Sequence, residues 1–186
     1  MIKSIWIIPT LLLLAFAASP AFSDSFSFGV GIVRPESYNT RIWWSAAYRI
    51  SLAKHFALEP EIGYWRVSFT HLIARGSVLS LRLRGEDFTT GINAVFEVPA
   101  EKILISFGGG GSAHFLRADY IGIDPVRPSI PRLLRMTRTD PGLQLMGSID
   151  LAVSKRITIF LAARTDIIHH AQDTSKIYGG TRFRFD

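Results

Sequence analysis

Hydrophobic and polar residues alternate with a period of two along most of the chain after residue 24. Residues 40–52 show the pattern most fully: the even positions carry Ile42, Trp44, Ala46, Tyr48, Ile50 and Leu52. The odd positions include Arg41, Ser45, Ala47, Arg49 and Ser51. Because successive side chains of a β-strand point to opposite faces, this pattern predicts a strand with one apolar and one polar face.

The same alternation recurs in seven further segments, which brings the number of predicted strands to eight, an even number. In each segment, large aliphatic or aromatic residues occupy one face, and small or polar residues occupy the other. The seven segments are residues 26–32, 56–64, 88–98, 103–115, 143–153, 157–167 and 177–185.

Short and long connections alternate between the predicted strands. Residues 53–55, 99–102 and 154–156 are tight turns, whereas residues 34–39, 66–84, 117–139 and 169–174 form longer loops. Outer-membrane β-barrels have short periplasmic turns and long extracellular loops. The predicted fold class is therefore all-β, an eight-stranded antiparallel up-and-down transmembrane β-barrel with both chain ends in the periplasm.

The apolar face of this sheet must be covered, and the chain has no amphipathic helical stretch that could cover it. Closure into a barrel with the apolar face in lipid solves the problem, because backbone groups in a bilayer must pair within the protein. The alternative is a soluble lipocalin-like barrel whose apolar face surrounds a ligand. The Gly, Ser and Ala residues on the second face favour a narrow, packed lumen and hence the membrane barrel.

Residues 1–23 are predicted to be a signal peptide. Lys3 provides a positive start, residues 5–17 are an uncharged run of 13 residues, and small residues follow. A helix that spans a membrane needs about 20 apolar residues, so this run is too short to be an anchor. We expect cleavage after Ser23, with Ala21 as the alternative, and a barrel domain over residues 24–186 in a bacterial outer membrane of Gram-negative type.

Composition narrows the function classes. The chain has no Cys, which excludes disulfides, thiolate metal sites and a cysteine nucleophile. The formal net charge is +6 at pH 7, a value that suits either nucleic acid or anionic lipid as a partner. Export favours the lipid, so no nucleic-acid partner is expected.

Four stretches carry a family resemblance: residues 108–113 (GGGGSA), 142–151, 158–164 and 179–185. They resemble the opacity-type, outer-membrane protein A-like family of small outer-membrane β-barrels. The resemblance implies an eight-stranded, porin-like barrel at the cell surface. It also implies insertion by the outer-membrane assembly machinery, which reads a C-terminal strand that usually ends in an aromatic residue. In this chain Phe183 and Phe185 would carry that assembly signal, and Asp186 follows them.

Charges of both signs fall on the predicted lumen face. Buried charges are tolerated only when they are paired and hydrogen-bonded, so we expect an internal salt-bridge network. Its predicted members are Arg41, Arg49, Glu59, Glu61, Glu97, Asp150, Arg164, Asp166, Arg182 and Arg184. Side chains fill the lumen of an eight-stranded barrel, which favours a polar plug over a narrow passive pore.

The two longest predicted loops are rich in arginine, whose guanidinium group matches the geometry of phosphate. Because the outer leaflet presents lipopolysaccharide phosphates, we predict binding of lipopolysaccharide or of anionic host ligands. The alternative is solvated loop charge without a specific partner. The predicted binding residues are Arg75, Arg82, Arg84, Arg117, Arg127, Arg132, Arg135 and Arg138.

A lipid A-modifying enzyme, a deacylase or an acyltransferase, is the alternative function. Ser112 and His114 lie two apart on one strand face, and a His pair occupies residues 169–170. Residues so placed on a strand are about 7 Å apart at Cα, so we expect no hydrogen-bonded Ser–His dyad. The His-x-Ser pattern of the deacylases is also absent. We therefore predict a structural or surface-interaction role without catalysis, cofactor or metal.

Overall fold

The computed structural model describes residues 24–35, 40–74, 78–123, 131–169, 171 and 173–185, so the predicted signal peptide lies outside it. For residues 69–74, 78–83, 120–123 and 131–134 it describes the backbone alone. Within these described ranges no helix is long and apolar enough to cross a membrane. The strands are β1 (Ser25–Pro35), β2 (Arg41–Ala53), β3 (Phe56–Ala74), β4 (Val78–Ala100), β5 (Ile103–Ile123), β6 (Pro131–Ala152), β7 (Ile157–Ile168) and β8 (Thr174–Arg184).

The eight strands form one closed sheet in sequence order, in which each strand pairs antiparallel with its neighbours. β1 and β8 close the barrel through a register that runs from Ser25↔Arg184 to Pro35↔Thr174. Closure removes the unpaired edges that an open sheet would leave. The predicted fold class, an eight-stranded antiparallel up-and-down barrel, is confirmed.

Two hairpins are longer than the sequence pattern predicts. The β3–β4 register continues without a break to Ala74↔Val78, and the β5–β6 register continues to Ile123↔Pro131. The expectation that residues 66–84 and 117–139 are loops is therefore wrong: most of these residues are strand. Cross-strand pairing continues past the point at which the outward face stops being apolar. The sequence pattern places the strand ends at that point, because it depends on the apolar face.

Apolar side chains cover the outside of the barrel. Leu143 is 64% exposed, Ile42 61% and Ile92 60%, which excludes the lipocalin-like alternative with its apolar face inward. We call this surface the apolar belt. Its members include Phe28, Val30, Ile42, Trp44, Ile62, Tyr64, Phe88, Ile92, Ile105, Phe107, Phe115, Leu143, Leu145, Ile149, Ile159, Leu161, Ile167, Ile177 and Phe183.

The lumen also contains a compact apolar cluster that the alternation did not predict. Trp43 is fully buried at its centre, and Gly63 makes room for it, because a Cβ at position 63 would lie 1.9 Å from the indole Cη2. The cluster fills the barrel interior with aromatic rings as well as polar groups. Its members are Val33, Trp43, Trp65, Val67, Phe160, Ala162 and Tyr178.

Candidate functional site

We call the end of the barrel that carries the three short turns, Asp24 and Phe185 the turn end, and the opposite end the hairpin end. Near the turn end, five charged lumen residues from five strands meet. Arg49 contacts Glu59 at 2.6 Å and Glu97 at 2.7 Å. Arg182 contacts Glu59 at 3.3 Å and also pairs with Asp150. None of these side chains is more than 13% exposed, so each buried charge is compensated across strands.

Two further ion pairs lie elsewhere in the lumen. Arg164 pairs with Glu61, and Lys176 pairs with Asp166. The Lys176 ammonium also lies 3.8 Å from the centroid of the Trp43 ring, a cation–π contact. The predicted salt-bridge network omits Lys176. This residue shares the inward phase of β8 with Arg182 and could have been found from that phase alone.

Two residues of the predicted network lie on the lumen side but outside these ion pairs. Arg41 donates to the backbone oxygen of Thr40 at 3.2 Å and makes no ion pair with a described residue. Arg184 lines a cavity of about 250 Å³ at the turn end, together with Lys54 and Lys102. The structure therefore brings together seven of the ten predicted residues, five near the turn end and two in the Arg164–Glu61 pair, while Asp166 pairs with Lys176.

The expectation that Ser112 and His114 form no hydrogen bond is wrong. Ser112 Oγ lies 3.1 Å from His114 Nε2, and His114 Nδ1 lies 3.0 Å from Asp87 Oδ2. The imidazole ring bridges the distance that separates the two residues along β5, which an argument from Cα spacing alone could not show. Asp87 comes from β4, so its part in the arrangement required the strand register.

A row of charged side chains crosses the outer face of β4, β5 and β6 at the hairpin end. Arg84 pairs with Glu86 at 3.2 Å, and Asp119 accepts from both Arg117, at 3.2 Å, and Arg135, at 2.9 Å. The hydrogen bond from Arg135, supported by Arg117, holds the pKa of Asp119 below its usual value. The three arginine side chains remain 43% to 54% exposed. We call these five residues the outer arginine patch.

The outer arginine patch borders the apolar belt directly. Phe88 and Phe115 face each other across β4 and β5 with ring centroids 6.1 Å apart, and the patch begins at the next outward positions. Arg138 lies nearby on β6 and pairs with Asp140 at 2.6 Å. Charged side chains thus occupy the first outward positions beyond the edge of the apolar belt.

For the other predicted anion-binding arginines, the structure does not describe a side-chain position. Arg75 and Arg127 lie outside the described residues. Arg82 and Arg132 lie on β4 and β6, where only the backbone is described. At this rim the arginines whose side chains are described are Arg84, Arg117, Arg135 and Arg138.

The predicted assembly signal lies at the end of β8. Phe183 and Phe185 point outward and are 44% and 51% exposed. The backbone N–H of Phe185 donates to the oxygen of Asp24 at 2.8 Å, and its ring stacks on Tyr48 with centroids 6.5 Å apart. The hydrogen bond joins the residues that flank β1 and β8, while recognition by the assembly machinery stays a prediction.

Among the residues whose side chains are described, no group of three or more His, Asp or Glu is arranged to hold a metal ion. Of the predicted His pair, His169 lies in the turn after β7, and His170 lies outside the described residues.

No protein-family model and no curated protein matches this chain. Several solved structures do. A major outer membrane protein from Thermus thermophilus aligns with 12% identity, over 89% of this chain and 100% of that one, with a TM-score of 0.63. Ail, the attachment invasion locus protein of Yersinia pestis, aligns with 13% identity over 88% and 97%, with a TM-score of 0.56. A second Ail structure, in complex with the heparin analogue sucrose octasulfate, aligns with 11% identity and the same TM-score. The fold of this chain is thus the fold of small outer-membrane β-barrels.

Proposed function

We propose that this chain is an integral outer-membrane protein of a Gram-negative-type cell that acts in surface interaction. Its short turns face the periplasm, and its hairpin end faces outward. The ligands are phosphorylated or sulfated glycans, either lipopolysaccharide of the same leaflet or anionic host polysaccharide, bound by arginines at the hairpin end. The observation that carries this proposal is the exposed outer arginine patch at the margin of an apolar exterior.

The apolar belt supports the membrane location. Contiguous apolar patches on soluble monomers rarely exceed a few hundred Å². Here the outward rows of all eight strands carry large apolar residues that are about 40% to 60% exposed. Burial of apolar surface yields about 25 cal/mol per Å². Such an exterior is therefore stable in hydrocarbon and unfavourable in water.

The packed lumen supports a role other than transport. Trp43 and Val95 are fully buried inside the barrel, and the five charged residues near the turn end lie in mutual contact. Side chains of an eight-stranded barrel can fill its interior completely. The surfaces available to a macromolecular partner are then those outside the lumen.

The position of the outer arginine patch supports anion binding. Phosphate groups of membrane lipids lie just beyond the hydrocarbon, which is where Arg84, Arg117 and Arg135 follow the aromatic edge of the belt. Glu86 and Asp119 hold these guanidinium groups in place while leaving them partly exposed, so less side-chain entropy is lost on binding. Ail, which has the same fold, was crystallised with a sulfated sugar.

The test uses the folded barrel in phosphatidylcholine nanodiscs, titrated separately with purified lipopolysaccharide and with a heparin oligosaccharide. Changing Arg84, Arg117 and Arg135 together to Gln removes three positive charges from the patch. We expect the Kd for at least one ligand to rise about tenfold, which corresponds to about 1.4 kcal/mol.

The matched control changes Lys54, Lys102 and Lys155 to Gln, which removes the same charge at exposed turn-end positions. This control should bind like the wild type. Equal weakening by both triple variants would show that net charge alone governs binding, and unchanged binding by the arginine variant would show that the patch is not the site. Either result would overturn the proposal.

A further inference from the structure

Ser112, His114 and Asp87 are arranged as a hydrogen-bonded chain inside the barrel. The Ser112 hydroxyl lies 3.1 Å from one imidazole nitrogen of His114, and the other nitrogen lies 3.0 Å from the Asp87 carboxylate. His114 and Asp87 are both fully buried. A serine, a histidine and a buried carboxylate in this order form the arrangement that activates serine hydroxyls in hydrolases on several unrelated folds.

The surroundings of Asp87 set the orientation of the imidazole. Trp65 Nε1 donates to the same carboxylate oxygen at 3.0 Å, and Thr89 Oγ1 lies 3.4 Å from the other oxygen. An ionised carboxylate only accepts hydrogen bonds, so the proton between Asp87 and His114 belongs to Nδ1. In the neutral imidazole this leaves Nε2 to accept the proton of the Ser112 hydroxyl, as a general base must, and Asp166 Oδ2 lies 3.9 Å from the same nitrogen.

Ser112 pairs with a glycine on each of its two adjacent strands. Its register partners are Gly91 on β4 and Gly142 on β6. A Cβ added to Gly142 would lie 2.7 Å from Ser112 Oγ, so any larger residue would press against the hydroxyl. Glycine at these two positions therefore avoids a clash beside the oxygen that would react.

Two buried carboxamides lie one inward position away from Ser112. Asn93 and Gln144 flank Gly110, the inward position that precedes Ser112 on β5. Their relative exposures are 0% and 1%, and neither carboxamide hydrogen-bonds to any side chain or backbone group in the described parts of the chain. Leaving such groups unpaired costs about 1–3 kcal/mol each. The Gln144 carboxamide also reaches β4, since a Cβ at Gly91 would lie 2.5 Å from its Oε1.

We propose that these residues form a catalytic site in which Ser112 is acylated by small carboxylic esters. Ser112 Oγ attacks the carbonyl carbon while its proton passes to His114 Nε2. The C–O bond to the leaving alcohol then breaks, and the alcohol takes that proton. Water next attacks the acyl group, gives one proton to Nε2 and releases the acid, and the Ser112 hydroxyl recovers its proton.

Each remaining residue has a defined part in this reaction. Asp87 positions His114 and stabilises the imidazolium that forms, with Trp65 holding Asp87. The N–H groups of Asn93 and Gln144 donate to the carbonyl oxygen as it becomes negative, which gives the two unpaired carboxamides a partner. Because the lumen is packed with side chains, the substrate is a slender acyl ester rather than a lipid with several chains. This activity is independent of anion binding at the outer arginine patch.

The test exposes the detergent-folded full-length barrel to an alkyl fluorophosphonate probe and to p-nitrophenyl acetate. We expect covalent labelling of Ser112, located by peptide mass spectrometry. Ser112→Ala should abolish the labelling, and His114→Gln should slow it about 100-fold, the lower end of a general-base contribution. Ser27→Ala is the control, because Ser27 is a lumen serine that donates to the backbone oxygen of Ala47 and has no imidazole partner.

The wild-type protein contains its own comparison, which decides the matter even if His114→Gln fails to fold. Ser106 and Ser148 are buried lumen serines that contact Arg49 and Asp150 instead of an imidazole. Selective labelling of Ser112 over these two supports the triad. Absence of labelling at Ser112, or equal labelling of all three serines, would overturn the proposal.

Discussion

Each ion pair in the lumen joins two different strands, and some join strands whose backbones do not pair with each other. Arg182 on β8 reaches Glu59 on β3 across the barrel, and Arg49 on β2 reaches Glu97 on β4. A buried ion pair adds little net stability compared with a hydrophobic pair of the same shape, but removing one partner leaves a buried charge without compensation. Removing one of these side chains is therefore expected to lower the stability of the barrel.

Glu59→Gln tests this at the scale of one residue. The change leaves Arg49 and Arg182 without one of their shared carboxylates, so we expect the free energy of unfolding to fall by about 3–5 kcal/mol. Urea unfolding of the barrel in lipid vesicles, followed by tryptophan fluorescence, measures the change.

Glu86→Gln is the matched control, because it makes the same chemical change in a more exposed ion pair with Arg84. We expect it to cost at most about 1 kcal/mol. Equal effects of the two variants would contradict the view that burial of the Glu59 pairs decides their contribution.

At the scale of elements, the two long hairpins carry the sheet beyond the apolar belt. β3 with β4 and β5 with β6 stay in register to their tips, while the outward positions change from Phe88 and Phe115 to charged residues. Ion pairs there take the place of the apolar contacts of the belt. Pairing of Asp119 with arginines from both β5 and β6 links these two strands beyond the apolar belt.

The pKa of Asp119 reports on this link. Hydrogen bonding to Arg135 lowers the pKa of Asp119 in the folded state, whereas an unperturbed Asp has a pKa of about 3.9. The carboxylate therefore contributes its stabilisation above about pH 4 and loses it as the pH falls through the lower, folded-state pKa. We expect Arg135→Gln to raise the pKa of Asp119 toward the ordinary value, as measured by carbon NMR of the carboxyl group.

Lys155→Gln, at the turn end, removes the same charge far from Asp119 and should leave the titration unchanged. An Asp119 pKa that does not respond to Arg135→Gln would show that the ion pair across β5 and β6 does not form in solution.

At the scale of the whole molecule, the apolar belt determines in which solvent the folded barrel is stable. Leu145 lies near the middle of the outward row of β6, and Thr137 lies on the same row beside the outer arginine patch. If the belt spans a bilayer, the cost of a charge depends on its depth. A barrel dissolved in water would show no such gradient.

Leu145→Lys and Thr137→Lys measure that gradient. We expect the first to reduce the free energy of folding into vesicles by about 2–4 kcal/mol and the second by about 0–1 kcal/mol. Equal costs, or a Leu145→Lys barrel that is monodisperse without detergent, would contradict the membrane location.

The sequence by itself determined the strand number, the order of short turns and the sorting of side chains between the two faces. These are local properties, because a period of two in polarity needs no knowledge of which strands meet. It also placed Arg49, Glu59, Asp150 and Arg182 on the inward phase. It failed for the ends of β3 to β6, because backbone pairing continues there after the outward face has ceased to be apolar.

The tertiary structure alone decided which inward side chains touch. Asp87 meets His114 because β4 and β5 pair in one particular register, and Lys176 meets Trp43 because closure of the barrel brings β8 within reach of β2. Neither contact has a signature in the sequence of either strand. The distance between side chains on separate strands depends on register and closure, which are properties of the whole barrel. The alternation of residues along one strand is a property of that strand alone.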